Sequence, residues 1–223
     1  MVNFVCVYWG NKYPLIYLQN LYNMVQKNLT ISHNFICFTD KDNLPISGNI
    51  DFRKLPRKDL EGWWNKMQLF SPESNLIGQN LYLDLDVVIL DNINELATFG
   101  DDKTFGVIND FNPTTKVFNS SVLKFNNEIT TEAIWNPYIN NLHEYHNYSS
   151  DQVVMSILMK NNIHTKIMPD EWTFSYKWFS RTNPRYDENK HTYELKKNSK
   201  ISVFHGRPNP HESMQEWVVN NWK

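Results

Sequence analysis

The chain of 223 residues contains only 7 glycines, and they form neither a G-x-G-x-x-G nor a G-x-x-x-x-G-K-[ST] pattern. A Gly-rich turn that cradles phosphates with backbone amides is therefore excluded as the basis of a nucleotide site. Cysteine is scarcer still. Cys6 and Cys37 both lie in apolar, strand-like runs, which reads as two buried thiols in a reducing compartment rather than a disulfide framework. No C-x-x-C pair, H-E-x-x-H helix or Ser-His-Asp order supports a redox, zinc-protease or hydrolase reading. No apolar run is long enough to span a bilayer, and Met1 leads into a strand-like run with no basic n-region or cleavage pattern. The expectation is a soluble cytoplasmic protein, in which the Asn-X-Ser/Thr matches at Asn28, Asn119 and Asn147 are chance. An excess of charge of one sign is also missing. At a formal net charge of -2, neither a polyanion nor an anionic membrane stands out as the main partner.

What is present suits a sizeable core: 41% of residues are hydrophobic and 14% aromatic, ample for one large domain. "NFVCVYW" (3–9), "NFICFTD" (34–40) and "NLYLDLDVVIL" (80–90) read as strands, with "KTFGVIND" (103–110), "VFNSSVLKFN" (117–126) and "KISVFHG" (200–206) as further candidates. Leu18, Leu21, Tyr22, Val25 and Leu29 recur at helical spacing behind Pro14. "GWWNKMQLF" (62–70) reads as a short helix. Helices are also expected at roughly 128–145 and 150–161, the second capped by Ser149 or Ser150, and at the C-terminus around Trp217 and Trp222. Strands alternating with helices predict an α/β fold, a mostly parallel central sheet with helices on both faces. No linker or repeat divides the chain.

The chemistry begins with "LYLDLDVVIL". Residues two apart on a strand share a face, so Asp84 and Asp86 are expected to project together, opposite the apolar row Leu81, Leu83, Leu85, Val87 and Ile89. Two poorly solvated carboxylates need a divalent cation, basic side chains or a raised pKa to coexist. In an open α/β sheet, ligands bind at the carboxyl ends of strands. Asp86 reaches such an end if the ladder stops near it and "VVIL" continues as a bent segment. A hard cation such as Mg²⁺ or Mn²⁺ suits these oxygens, while a pair buried against Arg or Lys is the bland alternative.

Without a Gly-rich loop, a nucleotide's phosphates need a metal and basic side chains. "VFHGRPNPHE" (203–212) offers His205 as a neutral imidazole ligand, Gly206 for close approach, Arg207 as a permanent cation and His211 as a second contact. Lys66 shares a helical face with Trp63 and Phe70, and reads equally as a lysine lying over aromatic packing.

In order, "VYWGNKYP", "FTD", "GWWNKMQLF", "LYLDLDVVIL", "FNSSVLKFN", "SSDQVVMS" and "VFHGRPNPHE" resemble a GT-A fold glycosyltransferase of the family 8-like group of small bacterial and phage enzymes. The resemblance runs over nearly the whole chain. It implies one GT-A (Rossmann-like) domain over 1–223. Residues 1–100 would form its nucleotide-binding half, and 101–223 an acceptor and sugar half that completes the metal site. It implies a nucleotide-diphosphate sugar donor, commonly UDP-linked, with Mn²⁺ or Mg²⁺ held by Asp84, Asp86 and His205. Val7, Tyr8, Trp9 and Asp40 would border the base and ribose, as would Asp84. Lys66 and Arg207 would meet the diphosphate or sugar, and Gly206 would allow the donor to come close. Asn119, Ser120, Asp151 and Gln152 match positions that line the donor sugar and reacting carbon. Asp151 and Gln152 are the leading candidates beside that carbon, and retention of configuration is implied. The family's His-x-x-Gly-x-x-Lys pattern is not reproduced, because Gly206 follows His205 directly and Arg207 takes the basic place. For Asn119 and Ser120 a turn or β-bulge is the alternative role, and for Asp151 a helix first-turn acid.

A sugar nucleotidyltransferase is the competing enzyme reading, although "YWGNKYP" is a poor version of its Gly-rich basic loop. A nucleotide-sugar-binding protein without turnover is the third. The acceptor is expected to be a glycan or other hydroxyl compound. A hydroxylated DNA base is disfavoured by the slightly acidic charge and the lack of a basic stripe. Aromatics in "DEWTFSYKWF" (170–179) read either as a sugar-stacking platform or as core.

Overall fold

The computed structural model describes residues 1–112, 114–177 and 199–223. A seven-stranded sheet forms its centre, built from β1 (Val2–Tyr8), β2 (His33–Thr39), β3 (Asp51–Lys54), β4 (Asn80–Leu83), β6 (Phe105–Asn109), β7 (Phe118–Phe125) and β8 (Thr165–Ile167). The strand order is β3-β2-β1-β4-β7-β6-β8. The pairs β3–β2, β2–β1, β1–β4 and β6–β8 are parallel, and β7 is antiparallel to both neighbours, so β7 alone runs against the rest. A smaller sheet in the order β5-β10-β9 comprises β5 (Val87–Ile89), β9 (Thr173–Ser175) and β10 (Ile201–Val203).

Strand parity explains the layering. Phe4, Cys6, Leu81 and Leu83 face one side of the central sheet and pack with Leu18, Leu21, Met24 and Val25 of helix Ile16–Asn28. Val5, Tyr82 and Leu123 face the other side. There they meet Met67, Leu69 and Phe70 of the 3₁₀ helix Gly62–Phe70, and Val154, Met155 and Met159 of helix Asp151–Met159. The expected mostly parallel sheet with helices on both faces is therefore present. Cys6 and Cys37 are paired neighbours on β1 and β2, both buried as free thiols.

One expected element changes. The helix expected over 128–145 is a chain of short pieces, Asn127–Thr130, a π-helical Thr131–Trp135, Asn136–Asn140 and Leu142–Tyr145. Pro137 lacks the amide to continue a ladder, and Asn141 leaves the helical region at φ -133°. The short edge strands β3 and β8 carry no apolar alternation, and so escape a periodicity reading. Of the aromatic run at 170–179, Phe174 and Tyr176 are core, while Trp178 and Phe179 lie outside the described residues. Ser150 is the cap of helix Asp151–Met159, its side chain accepting from the Val153 amide. Among the described residues no helix is long and apolar enough to cross a membrane.

The turn into β6 gives a clean test of the packing. Gly100 sits at φ +69°, and an added Cβ would stand 2.3 Å from Thr104 Oγ1, whose hydroxyl is bonded to Asp101 at 2.8 Å. Gly78 has a similar φ of +79° with nothing within 4 Å. Gly78→Ala should cost about 1–2 kcal/mol for the left-handed backbone alone. Gly100→Ala should cost roughly 1–3 kcal/mol more because it overpacks a closed site. Urea denaturation of the two variants checks the difference.

Candidate active site

Parallel β1, β2, β4 and β6 end on the same edge of the central sheet, and antiparallel β7 begins there. That edge is where loops of an open α/β sheet are free to build a site. "LYLDLDVVIL" is not one strand. β4 stops at Leu83, Asp84–Asp86 form a turn, and β5 joins the smaller sheet. The shared face expected for Asp84 and Asp86 is thereby corrected. Parity holds from Tyr82 to Asp84, whose side chains share a hydrogen bond at 2.6 Å. It is lost beyond, and Val88 joins the same apolar cluster as Leu81. Two backbone ties hold the turn, the Asp84 amide on Ser121 O at 3.0 Å and the Phe204 amide on Asp86 O at 3.1 Å. Because β10 runs antiparallel to β5 with Val203 opposite Val87, the second tie brings His205 alongside the turn from far along the chain.

The most ordered part of the site centres on a lysine. Lys66 Nζ lies 3.0 Å from Asp84 Oδ1 and 3.2 Å from Asp151 Oδ2. It also donates to Ser120 O and Ser120 Oγ, each at 3.1 Å. The Tyr82 ring lies 5.0 Å from the ammonium. Burial opposes the charge on Lys66, but Asp151 and Asp84 outweigh it and its proton affinity rises. Burial likewise opposes the charge on Asp84, and the Lys66 ammonium with the Tyr82 hydroxyl reverses this, leaving its pKa lowered. Ser120 Oγ donates to Asp151 Oδ2 at 3.1 Å, and Gln152 accepts from the Ser120 amide at 3.2 Å while donating to Asp110 at 2.8 Å. A register shift, with Val107 opposite Leu123 but Ile108 opposite Asn119, leaves Ser120–Val122 without partners on β6. The bulge suggested for Asn119 and Ser120 therefore holds for Ser120, while Asn119 stays paired with Ile108 at its edge.

Asp86 is placed differently. Burial and the Asp84 charge raise its pKa from 3.8 to about 6, against the opposing hydrogen bond from Tyr13 and the charge of Lys12. The Tyr13 hydroxyl donates to Asp86 Oδ2 at 2.7 Å. His205 shares a hydrogen bond between Nε2 and Ser175 Oγ and stacks on Phe111 with centroids 5.7 Å apart. Burial and the nearby Lys177 charge lower its pKa, so the imidazole is neutral at pH 7.

A cavity of about 520 Å³ joins these groups, and its walls include Val7, Trp9, Lys66, Asp84, Asp86, Asn119, Ser120, Asp151, Gln152, His205 and Gly206. Tyr8, Asp40 and Arg207 are not among its lining residues. Tyr8 is buried, Asp40 accepts from the Gly10 amide at 3.3 Å, and Arg207 is exposed. His211 also lies apart, its Nδ1 bonded to the Tyr17 hydroxyl. Sequence reasoning missed Lys12, Tyr13, Trp63 and Ser150 as lining residues, as well as Asp110 and Ser175. Lys12 and Tyr13 sit in the quoted "YWGNKYP", where basic and hydroxyl groups after a strand end were a signal. Nothing in the sequence marked Ser175. Lys177 was missed too: a Cβ at Gly206 would stand 2.6 Å from its Nζ.

Among the described residues no three His, Cys, Asp or Glu side chains stand together as a ready ligand set, so the expected trio Asp84, Asp86 and His205 is not gathered around one point. The donor chemistry nevertheless fits a hard divalent ion. Two carboxylates and a neutral imidazole border one cavity, and the protein alone leaves the Asp86 charge poorly compensated.

No family model and no curated protein matches the sequence. Solved structures do match, and they show the fold: the chain adopts the GT-A fold of the glycosyltransferases on which it superposes. The glycosyltransferase GlyE of Streptococcus pneumoniae TIGR4 superposes with a TM-score of 0.72 at 15% identity, over 99% of this chain and 61% of that one. The galactosyltransferase LgtC, solved with donor and acceptor sugar analogs, gives 0.68 at 14% identity over 99% and 96%. Mouse xyloside xylosyltransferase 1 gives 0.56 at 12% over 92% and 97%.

Two stability measurements test the electrostatics. Lys66→Met leaves buried Asp151 and half-buried Asp84 without their cation, and should cost about 3–5 kcal/mol at pH 7. Part of that loss should return on acidification, as the acids take protons. Asp86 has a raised pKa, so its proton is held more tightly in the folded protein. Its contribution is full below pH 3.8 and lost as pH rises through about 6. At pH 7.5 and without metal, Asp86→Asn should therefore raise stability by about 1–3 kcal/mol, a gain that shrinks toward pH 4. Thermal melts across this range check both signs.

Proposed function

We propose that the chain is a hexosyltransferase that uses a nucleotide-diphosphate sugar, UDP-linked, and Mn²⁺ or Mg²⁺, and transfers the sugar to a hydroxyl acceptor with retention of configuration. The observation that carries this is the single cavity at the carboxyl edge of a glycosyltransferase fold, where Asp84, Asp86, Asn119, Ser120, Asp151, Gln152 and His205 meet.

Asp84, Asp86 and His205 would hold the metal, which when bound supplies Lewis-acid stabilisation of the departing nucleotide diphosphate. Val7 and Trp9, at the end of β1, would border the base. Asp40, at the end of β2 beside Tyr8, would reach the ribose from the neighbouring strand end. Lys66 is committed to Asp84 and Asp151, so its main role is to orient these acids. Its positive field would also stabilise the negative charge developing on the leaving group. Asp151 Oδ2 is occupied by Lys66 and Ser120. Its other oxygen is then the one left to approach the anomeric carbon, whose transition state has oxocarbenium character. Gln152, fixed by Asp110 and the Ser120 amide, and Asn119 would set the position of the donor sugar. Gly206 admits the donor at the His205 end, and Arg207 would meet the phosphates from the rim.

A panel of nucleotide sugars incubated with Mn²⁺ tests the reading. The expected result is slow release of sugar and nucleoside diphosphate from one donor, abolished by chelator and reduced at least about 100-fold in Asp86→Ala. Pyrophosphate release would instead identify a nucleotidyltransferase, and binding without either product a non-catalytic protein. Unchanged turnover in Asp86→Ala with metal present would remove the acids from the mechanism.

A further inference from the structure

Trp63 is the residue that the donor chemistry leaves unexplained. It is 55% exposed, the most exposed tryptophan among the described residues, yet it lines the same cavity as Lys66, Asp151 and Gln152. A 3₁₀ helix repeats every three residues, so Trp63 and Lys66 fall on one face of helix Gly62–Phe70, about 6 Å apart along its axis. Lys66 is 7% exposed at the floor. The indole therefore stands one turn nearer the mouth, above the cluster of acids.

Its neighbours hold the indole in place without covering it. Trp64 is stacked on His146 with ring centroids 4.6 Å apart and an interplanar angle of 18°, and on Tyr138 at 6.0 Å and 22°. The Tyr138 hydroxyl and His146 Nε2 share a hydrogen bond at 2.8 Å. Trp63 leans on this fixed ring at 6.5 Å and 60°. Beside it, Ser150, Asp151 and Gln152 line the wall, carried by helix Asp151–Met159, which packs against the Trp63 helix. A flat apolar face bordered by hydroxyl, carboxylate and amide groups matches a pyranose, which presents C–H groups on one face and hydroxyls around its rim. An apolar wall with a few convergent polar groups is the usual make-up of a small-molecule site, and Trp63 supplies part of that wall.

We propose that Trp63 is the platform for the acceptor, and that the acceptor is a pyranoside whose C–H face stacks on the indole while one hydroxyl points to the Asp151 end of the cavity. This rests on the glycosyltransferase reading above. Trp63 acts here as a specificity-determining residue for the second substrate, and Trp9, Lys12 and Tyr13 remain on the donor side with β1.

The experiment separates the two substrates. Donor hydrolysis without acceptor, and transfer to methyl glucosides, methyl galactosides, lactose and maltose, are measured for the wild type, Trp63→Ala, Trp63→Leu and Trp63→Tyr. Trp63→Ala and Trp63→Leu should raise the KM for the best pyranoside about fivefold to tenfold and leave donor hydrolysis within about twofold. Trp63→Tyr should recover most of the loss, because it restores an aromatic face. Unchanged acceptor KM in Trp63→Ala, parallel loss of donor hydrolysis, or preferred transfer to glycerol or a serine peptide over every pyranoside would overturn the proposal. Tryptophan fluorescence titrated with the same glycosides keeps the test independent of turnover. If the wild type hydrolyses no donor, quenching by a pyranoside that disappears in Trp63→Ala still supports the platform, and no quenching in the wild type overturns it.

Discussion

Lys66 Nζ, placed between Asp84 and Asp151, is the interaction on which the site depends. Its stem belongs to a helix on one face of the sheet. The acids it holds come from the end of β4 and from the start of helix Asp151–Met159, and Ser120 adds the start of β7. One buried ammonium thus locks four separate segments. Buried charge is costly unless paired and hydrogen-bonded. This lysine meets both conditions, and each acid it pairs is held in a defined position. Breaking the arrangement would loosen the floor of the cavity before any substrate contact was touched.

Asp86 lies outside that lock. The turn after Leu83 carries it away from Lys66 toward Tyr13, and its proton affinity rises because burial and Asp84 act in the same direction. The two acids of one Asp-x-Asp therefore have opposite electrostatics. Asp84 is settled by the protein's own cation, while Asp86 keeps an unmet need for positive charge. That asymmetry favours a bound cation near Asp86, and under the proposed reading this cation would stand in for the missing Gly-rich phosphate loop.

Much of the scaffold was legible from period and parity. The strand runs "NFVCVYW" and "NFICFTD" pair in register from Val2 opposite His33 to Tyr8 opposite Thr39, and the helix between them follows the Leu18–Leu21–Val25 stripe. The carboxylate stretch was read as one strand because its apolar pattern does not break. Only tertiary pairing shows that β5 belongs to another sheet. Short polar edges such as β3 give no periodic signal. In the site, most of the polar and charged residues nominated from the sequence do line the cavity, but Tyr8, Asp40 and Arg207 do not, and Lys12, Tyr13 and Trp63 were missed. The residues that hold them were not legible. Ser175 on His205, Asp110 on Gln152 and Tyr13 on Asp86 are ordinary side chains whose role exists only once the chain has folded.

Calorimetric titration of the protein with a nucleoside diphosphate, with and without Mn²⁺, tests the central claim most directly. The account predicts saturable one-to-one binding with Mn²⁺, at least about tenfold weaker in its absence. Equal affinity with and without the metal, or no binding in either case, would contradict it.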